Sequence, residues 1–344
     1  MRRNAILFAM LLVACARPGT PGVTELVYAS LYSPNHPFSR ADQTLMDFVE
    51  KRSGNTLQIR PNWSGALLSS EHSMTELRHG VADIGLITPI YTKGGAHLIR
   101  IQSGFYSGVD SIENQIALYG CLAESSPQFA EELNGLRILA VQGGNLPGIV
   151  TRSLPVRSLA DLKGARVRAP AELLSVLGDL GADPVNMPMG EVYSALAKGV
   201  LDGVLAPGDT FKSMHFAEIT RHFTTLAVSR GAYPARAIGE RRWNSLSPEH
   251  RRVLEEGKPV WEAALAREIR AALTQGLEIA ANEGVEIRPI SPADQREFDA
   301  LYLRHAERNA AALSQYGIDG LSVFRLARAS IGEDGQITCR GNEQ

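Results

Sequence analysis

Residues 162–170 decide how the rest of the chain is interpreted, and they read Leu162-Lys163-Gly164-Ala165-Arg166-Val167-Arg168-Ala169-Pro170. This pattern predicts the end of a short helix, a turn at Gly164, a three-residue strand and a stop at Pro170. Arg168 ends that strand, and ligands of open α/β sheets bind at the carboxyl ends of strands. Because a guanidinium offers a planar fork of donors that fits a carboxylate, Arg168 is a candidate anion clamp. The alternative is a solvated arginine paired with a nearby carboxylate.

Two segments that follow favour the clamp. Residues 181–196 read GADPVNMPMGEVYSAL, and residues 198–204 read KGVLDGV. Together with 162–170 they resemble the DctP-like solute receptors of tripartite ATP-independent periplasmic (TRAP) transporters, in which GlKiRvP leads through GAnPvpmpfgEvYtAL to GvvDG. The resemblance is dense over residues 159–203 and weaker from 23 to 316. It is specific for the family and unspecific for the ligand.

The predicted fold is α/β, with two lobes that enclose a cleft. Strand and helix patterns alternate from 26 to 141 and again from 158 to 226, which predicts two lobes built on parallel sheets with helices on both faces. Ser247-Pro248 begins a long helix that reaches Ala281, and Gly257 and Pro259 are expected to kink or briefly break it. The resemblance implies a type II-like periplasmic binding protein with a hinged cleft and a long helix that spans both lobes.

The expected domain organisation follows from these patterns and from the resemblance, which implies crossings between the lobes near residues 145 and 233. The segments are a lipoprotein signal peptide at 1–14, a tether at 15–23, a first lobe at 24–145 and 234–273, a second lobe at 146–233 and 274–330, and a polar tail at 331–344.

The N-terminus predicts export. Arg2 and Arg3 precede an apolar stretch at 5–13 that is too short to span a bilayer. Leu12-Val13-Ala14-Cys15 resembles a bacterial lipobox, with cleavage before Cys15 and a lipid on its sulfur. The expected location is therefore the periplasm, with membrane contact only through a lipid anchor at Cys15. The alternative is an ordinary signal peptide that contains a cysteine.

Composition narrows the function further. The 344 residues carry a formal charge of −2, which gives no reason to expect a nucleic-acid partner. Neither G-x-S-x-G nor a P-loop occurs, and the histidines and cysteines lack metal-ligand spacing, so we expect no enzyme, cofactor or metal site. In an oxidising compartment Cys121 and Cys339 either form a disulfide that attaches the tail or stay as free thiols.

The resemblance implies a set of residues around the ligand. Arg168 matches the carboxylate-binding arginine and Met189 a position that packs on the ligand, while Thr88 and Tyr91 follow a strand where relatives place polar contacts. Trp63 is either a wall of the cleft or an ordinary core or surface tryptophan. The complete candidate set is Arg168, Met189, Tyr193, Thr88, Tyr91, Trp63 and Ala206.

Departures from the sugar-acid relatives bear on the ligand. Gly148, Ala171 and the run Val204-Leu205-Ala206 stand where those relatives carry polar groups. One cation in an apolar cleft suits a hydrophobic or aromatic monocarboxylate better than a polyhydroxy acid, whose hydroxyls would be left unpaired. The predicted function is a receptor that binds an organic carboxylate through Arg168 and delivers it to the small and large TRAP membrane subunits. A sensory lipoprotein of the same fold, coupled to a signalling partner, is the alternative.

Overall fold

The structure is a computed structural model that describes residues 22–340, so the predicted signal peptide and Cys15 lie outside the described residues. Among the residues that it describes, no helix combines the length and the apolar character that a membrane span requires.

One mixed sheet forms the first lobe. Its strands are β1 Thr24–Ala29, β2 Leu57–Asn62, β3 Ile84–Leu86, β4 Leu136–Gln142 and β10 Tyr233–Gly239. They lie in the order β2-β1-β3-β10-β4. Strand β1 is parallel to β2 and β3, whereas β10 is antiparallel to β3 and β4.

A second mixed sheet forms the other lobe. Its strands are β5 Gly148–Thr151, β6 Arg166–Arg168, β7 Asp183–Val185, β8 Gly203–Ala206, β9 His222–Thr225 and β11 Glu286–Pro289. Their order is β11-β9-β5-β8-β6-β7, with β5 antiparallel to both of its neighbours. The strands that the sequence predicted in each lobe are therefore parallel to one another, and the sheets are mixed only because β5 and β10 were not predicted. The strands that follow a crossing, β5 and β10, run against their neighbours because the chain comes into each from the other lobe.

Helices cover the faces of both sheets. The α-helices are α1 Pro37–Arg52, α2 Ser73–Arg78, α3 His97–Ile101, α4 Ile112–Ser125, α5 Pro127–Glu132, α6 Leu174–Asp179, α7 Met189–Ala197, α8 Thr210–Ser213, α9 Glu240–Ser245, α10 Pro248–Asn282, α11 Pro292–Ala312 and α12 Gly320–Ser330. Short 3₁₀ helices lie at Pro89–Tyr91, Gln102–Tyr106, Leu159–Leu162, Ala171–Leu173, Phe216–Glu218 and Leu313–Tyr316.

Helix α10 packs into the cores of both lobes and continues unbroken through Pro259, so of the expected kink or brief break, the break does not occur. The Ser247 side chain caps it by accepting a hydrogen bond from the His250 amide, 3.1 Å away. Gly257 permits close packing on α1, since a Cβ there would lie 2.6 Å from the Leu45 side chain. This packing holds the helix together across Pro259, where one backbone hydrogen bond is lost.

A fully buried ion pair ties the elements of the first lobe together. The Arg236 Nε atom of β10 lies 2.8 Å from Asp42 Oδ1 of α1, and both side chains are inaccessible to solvent. The Trp261 indole of α10 donates to the same oxygen, and the Tyr28 hydroxyl of β1 donates to the other oxygen. Buried charges are tolerated when they are paired and hydrogen-bonded in this way.

The C-terminal region packs differently from the expectation that 274–330 completes the second lobe. The first part of helix α11 packs into the core of the second lobe through Phe298, and its later part packs into the core of the first lobe through Ala306. In α12, Phe324 stacks edge-on against Phe105 of the first lobe at 5.3 Å. The division into lobes that move as units stays a prediction.

Cys121 and Cys339 form a disulfide, which answers the pairing question that the sequence left open. Their Cα atoms lie 5.3 Å apart, although 218 positions separate them in the chain. Ile331 and Ile337 also pair as an isolated antiparallel bridge. The described part of the polar tail is thus attached to α4 of the first lobe.

Candidate functional site

A cavity of about 150 Å³ lies where both sheets present the carboxyl ends of strands. Arg168 and Pro207 reach it from β6 and β8, while Tyr32 and Tyr91 reach it from the segments after β1 and β3. A larger space of about 620 Å³ adjoins it and shares several lining residues, including Tyr91 and Met189. The inner cavity and its mouth together form the cleft.

Arg168 is held in the inner cavity by two hydrogen bonds, although its side chain is charged and only 2% of the residue is exposed. Its Nε atom donates to the Met187 carbonyl at 3.0 Å, and its Nη2 atom donates to the Tyr91 hydroxyl at 2.9 Å. A guanidinium has five N–H donors. These two contacts therefore fix its plane and leave further donors for an anion.

Tyr91, Met189 and Tyr193 occupy different depths of the cleft. Tyr91 and Met189 line both the inner cavity and the mouth. Tyr193 lines only the mouth, where its hydroxyl donates to Glu218 at 2.9 Å. The structure therefore brings Arg168, Tyr91 and Met189 together, with Tyr193 further out.

The remaining three candidates lie outside the lining of the inner cavity and its mouth. Thr88 is buried, and its hydroxyl donates to the Ser70 carbonyl. Trp63 packs edge-on against Tyr28 of the first-lobe core, with ring centroids 5.6 Å apart. Ala206 is fully buried in a second-lobe cluster, while its neighbours Leu205 and Pro207 face the cavity. Ala206 faces away from the cavity because successive side chains along a strand point to opposite faces of the sheet.

An aromatic wall that the sequence did not single out lines one side of the cavity. It consists of Tyr32, His36 and Phe38. Tyr32 stacks on His36 with centroids 4.0 Å apart, and Phe38 meets the His36 ring edge-on at 4.7 Å. Burial, together with Arg236 and Arg40, lowers the pKa of His36 to about 3, so its ring is neutral. The only sequence signal was that these residues follow the carboxyl end of β1.

A second cation, Arg230, also lines the cavity, so the expectation of one cation is wrong. It comes from the segment that joins β9 to β10. Its guanidinium lies against Gly144, where a Cβ would come within 2.4 Å of the central carbon. Asp209 lines the same cavity and accepts a hydrogen bond from Asn145 at 2.8 Å. Burial raises the pKa of Asp209, while Asn145 and Arg230 oppose that rise.

Gly148, one of the positions where the sugar-acid relatives carry polar groups, is closed by packing. A Cβ at Gly148 would lie 2.5 Å from the Thr224 carbonyl oxygen and 2.6 Å from the Phe223 ring. This position serves the pairing of β5 with β9 and offers no room for a longer side chain.

Glu172 is the remaining charged residue of the cavity lining and was not a candidate from the sequence. It is only 7% exposed. Burial raises the pKa of the Glu172 carboxyl to about 7, although the Ser103 hydroxyl and the charges of Arg168 and Arg100 oppose this rise. Within residues 22–340, no group of three or more His, Cys, Asp or Glu side chains is arranged to hold a metal ion.

Comparison with protein families gives a match over most of the chain. The model of the family DctP, described as bacterial extracellular solute-binding protein, family 7, matches residues 28–309. The 2,3-diketo-L-gulonate-binding periplasmic protein YiaO of Escherichia coli is 22% identical over 313 residues, which are 88% of this chain and 92% of YiaO. A solute-binding protein of Albidiferax ferrireducens is 25% identical over 185 residues, and the match spans only 52% of either chain.

Solved structures show the same fold. A TRAP periplasmic solute-binding protein from Desulfovibrio salexigens has a TM-score of 0.73 and 26% identity, with 90% of this chain and 95% of that chain covered. A TRAP solute-binding protein from Rhodoferax ferrireducens, in complex with copurified benzoate, has a TM-score of 0.80 and 23% identity. The match covers 89% of this chain and 97% of that one.

Proposed function

The chain belongs to the bacterial extracellular solute-binding proteins of family 7, and from this premise we propose that it captures an organic carboxylate through Arg168 and delivers it to the membrane subunits of a TRAP transporter. Its relatives are solute-binding proteins of TRAP systems, so the chain is a transport receptor rather than an enzyme. The observation that carries the proposal is the buried Arg168 guanidinium, fixed from both lobes and open to the cavity between them.

The ligand that suits this cavity is a small aromatic or hydrophobic monocarboxylate, because the charge of the second cation, Arg230, is offset by the nearby Asp209. A cavity of about 150 Å³ has the size that holds one benzene ring. Tyr32, His36 and Phe38 offer it aromatic faces and edges, and Met189 and Leu205 add apolar surface. Relatives of this fold include a diketogulonate-binding protein and a benzoate complex. The fold therefore leaves the ligand open, and the preference rests on the lining.

A matched panel of aliphatic, aromatic and polyhydroxy carboxylates, measured by calorimetry on residues 23–344, tests this proposal. We expect the aromatic acids to bind most tightly. Along the aliphatic series affinity should rise by about 0.8 kcal/mol per buried CH₂ until the cavity is full. Tightest binding by polyhydroxy acids would contradict the apolar preference, and failure of every carboxylate would contradict the receptor function itself.

We also propose that the mature chain is anchored through a lipid on Cys15, with Leu12-Val13-Ala14-Cys15 as the supporting observation. Each buried CH₂ of a lipid contributes about 0.8 kcal/mol, so several chains hold a protein firmly at a membrane. Intact-mass measurement of membrane-extracted protein should give a lipidated chain that begins at Cys15, and Cys15→Ser should release the protein. A mature chain that carries an unmodified Cys15 thiol would contradict the anchor.

A further inference from the structure

We propose that the cavity binds its carboxylate together with a proton, and that Glu172 is the residue that takes up this proton. The inference rests on the proposed function, because it assumes that Arg168 receives the ligand carboxylate. It adds a specificity rule: the site accepts a monoanion most readily when its own buried carboxyl is neutral.

Geometry places the two groups in one site. Glu172 lies in the 3₁₀ helix Ala171–Leu173, four positions after Arg168, and both residues line the inner cavity. Both are more than nine-tenths buried. Within the described chain, Glu172 forms no ion pair with nitrogen and oxygen within 4.0 Å. Its carboxyl group is thus buried beside the anion site without a contacting counter-charge.

The groups around Glu172 come from several elements. Ser103 faces it from the 3₁₀ helix Gln102–Tyr106, Arg100 from α3, Arg168 from β6 and Tyr302 from α11. The titratable residue of α6, Asp179, is directed instead to His305 at 2.8 Å. Burial favours the neutral acid, whereas a backbone hydrogen bond, Ser103 and the two arginines favour the ionised carboxylate. The outcome is a pKa of about 7 for the Glu172 carboxyl.

A ligand carboxylate at Arg168 changes this balance. It brings a second negative charge next to Glu172, and two carboxylates that share a site resist being ionised together. Binding therefore raises the pKa of Glu172 further. The protonated carboxyl gains an O–H donor, which can hydrogen-bond to the ligand anion. At a pH where the Glu172 carboxyl is ionised before the ligand binds, one proton is taken up from solvent with each ligand.

The affinity for the carboxylate should fall as the pH rises above about 7. Well below pH 7, but above the ligand's own pKa of about 4, Glu172 is already protonated before the ligand binds, so affinity does not change with pH. Above that value binding must draw a proton from solvent, and affinity falls by up to tenfold per pH unit until the pKa of the complex is reached. Of the other lining residues, His36 stays neutral because its pKa is lowered to about 3, and burial raises the pKa of Tyr233. Burial also raises the pKa of the Asp209 carboxyl, so its contribution is tested separately below.

The test is calorimetry with benzoate and with the tightest-binding carboxylate of the panel. Each titration is run at about pH 8 in two buffers of different ionisation enthalpy. At this pH carboxylic acids with a pKa of about 4 remain ionised. We expect the wild-type chain to take up close to one proton per ligand. Glu172→Gln, which imitates the neutral acid, should take up none and bind with an affinity independent of pH. By about pH 9 it should bind roughly ten- to a hundredfold more tightly than the wild type.

Asp209→Asn is the matched control, because Asp209 is the other carboxylate of the cavity lining and lies near Arg230. Because Asp209 lines the cavity, this variant is judged by its proton uptake per bound ligand, which should stay in place, and not by its affinity. Uptake that persists in Glu172→Gln but vanishes in Asp209→Asn would overturn the proposal, as would pH-independent binding by the wild type. Loss of affinity in folded Glu172→Gln at every pH would also overturn it, because Glu172 would then act as an ionised acceptor. If no carboxylate binds the wild-type chain, the proposed receptor function is contradicted, and the proton proposal is contradicted with it.

Discussion

Arg166 and Arg168 stand two positions apart on β6 but have different surroundings. Arg168 is buried in the cavity, whereas Arg166 is half-exposed and pairs with Asp183 at 3.1 Å. Arg168→Ala should weaken carboxylate binding by about 2–5 kcal/mol, because a largely desolvated charge pair is lost. Arg168→Lys should restore only part, since Lys lacks the planar fork. Calorimetry measures both, with Arg166→Ala as the matched control that should keep its affinity; near-wild-type binding by Arg168→Ala would refute the clamp.

At the scale of elements, α10 meets the floor of the cleft at Gly276, whose missing side chain allows the contact. A Cβ there would lie 2.3 Å from the Gly208 carbonyl oxygen and 3.1 Å from Asp209 Cα. Gly276→Ala should therefore lower the free energy of unfolding by about 1–3 kcal/mol through overpacking, and should weaken ligand binding because the Asp209 segment must shift. Denaturant unfolding and calorimetry measure the two effects. Gly178→Ala in α6 is the matched control, because a Cβ at Gly178 would have no other atom within 4 Å, so this variant should be neutral or stabilising. An equal loss of stability in both variants would contradict this account.

At the scale of the whole molecule, the Cys121–Cys339 disulfide closes most of the chain into one loop, with a sequence separation of 218. The double variant Cys121→Ser, Cys339→Ser should lower the free energy of unfolding by about 2–5 kcal/mol, because the unfolded chain gains freedom. Ligand affinity should be unchanged, since neither cysteine lines the cavity. Denaturation with and without a reductant measures the first effect. Unchanged stability in the double variant, or a large loss of affinity, would show that the bond has another role.

Local patterns in the sequence determined the elements and the family. The strand at 166–168 and the helix start at Ser247-Pro248 were predictable because turns, caps and periodicity depend on neighbours in the chain. Arg168 could be nominated because its position at a strand end and its chemistry are both local facts. The unbroken α10 was not predictable, because packing against α1 outweighs the local effect of Pro259.

The tertiary structure alone decided which side chains share the cavity. His36, Glu172 and Arg230 come from segments far apart in the chain, and no local pattern relates them. Whether a residue faces the cleft also depends on strand register and on how the chain crosses between the sheets. Ala206, which ends β8, and Trp63, which follows β2, therefore pack into the cores of the lobes and not against the cavity. Side-chain direction alternates along a strand, so a shift of one residue exchanges a cavity position for a core position.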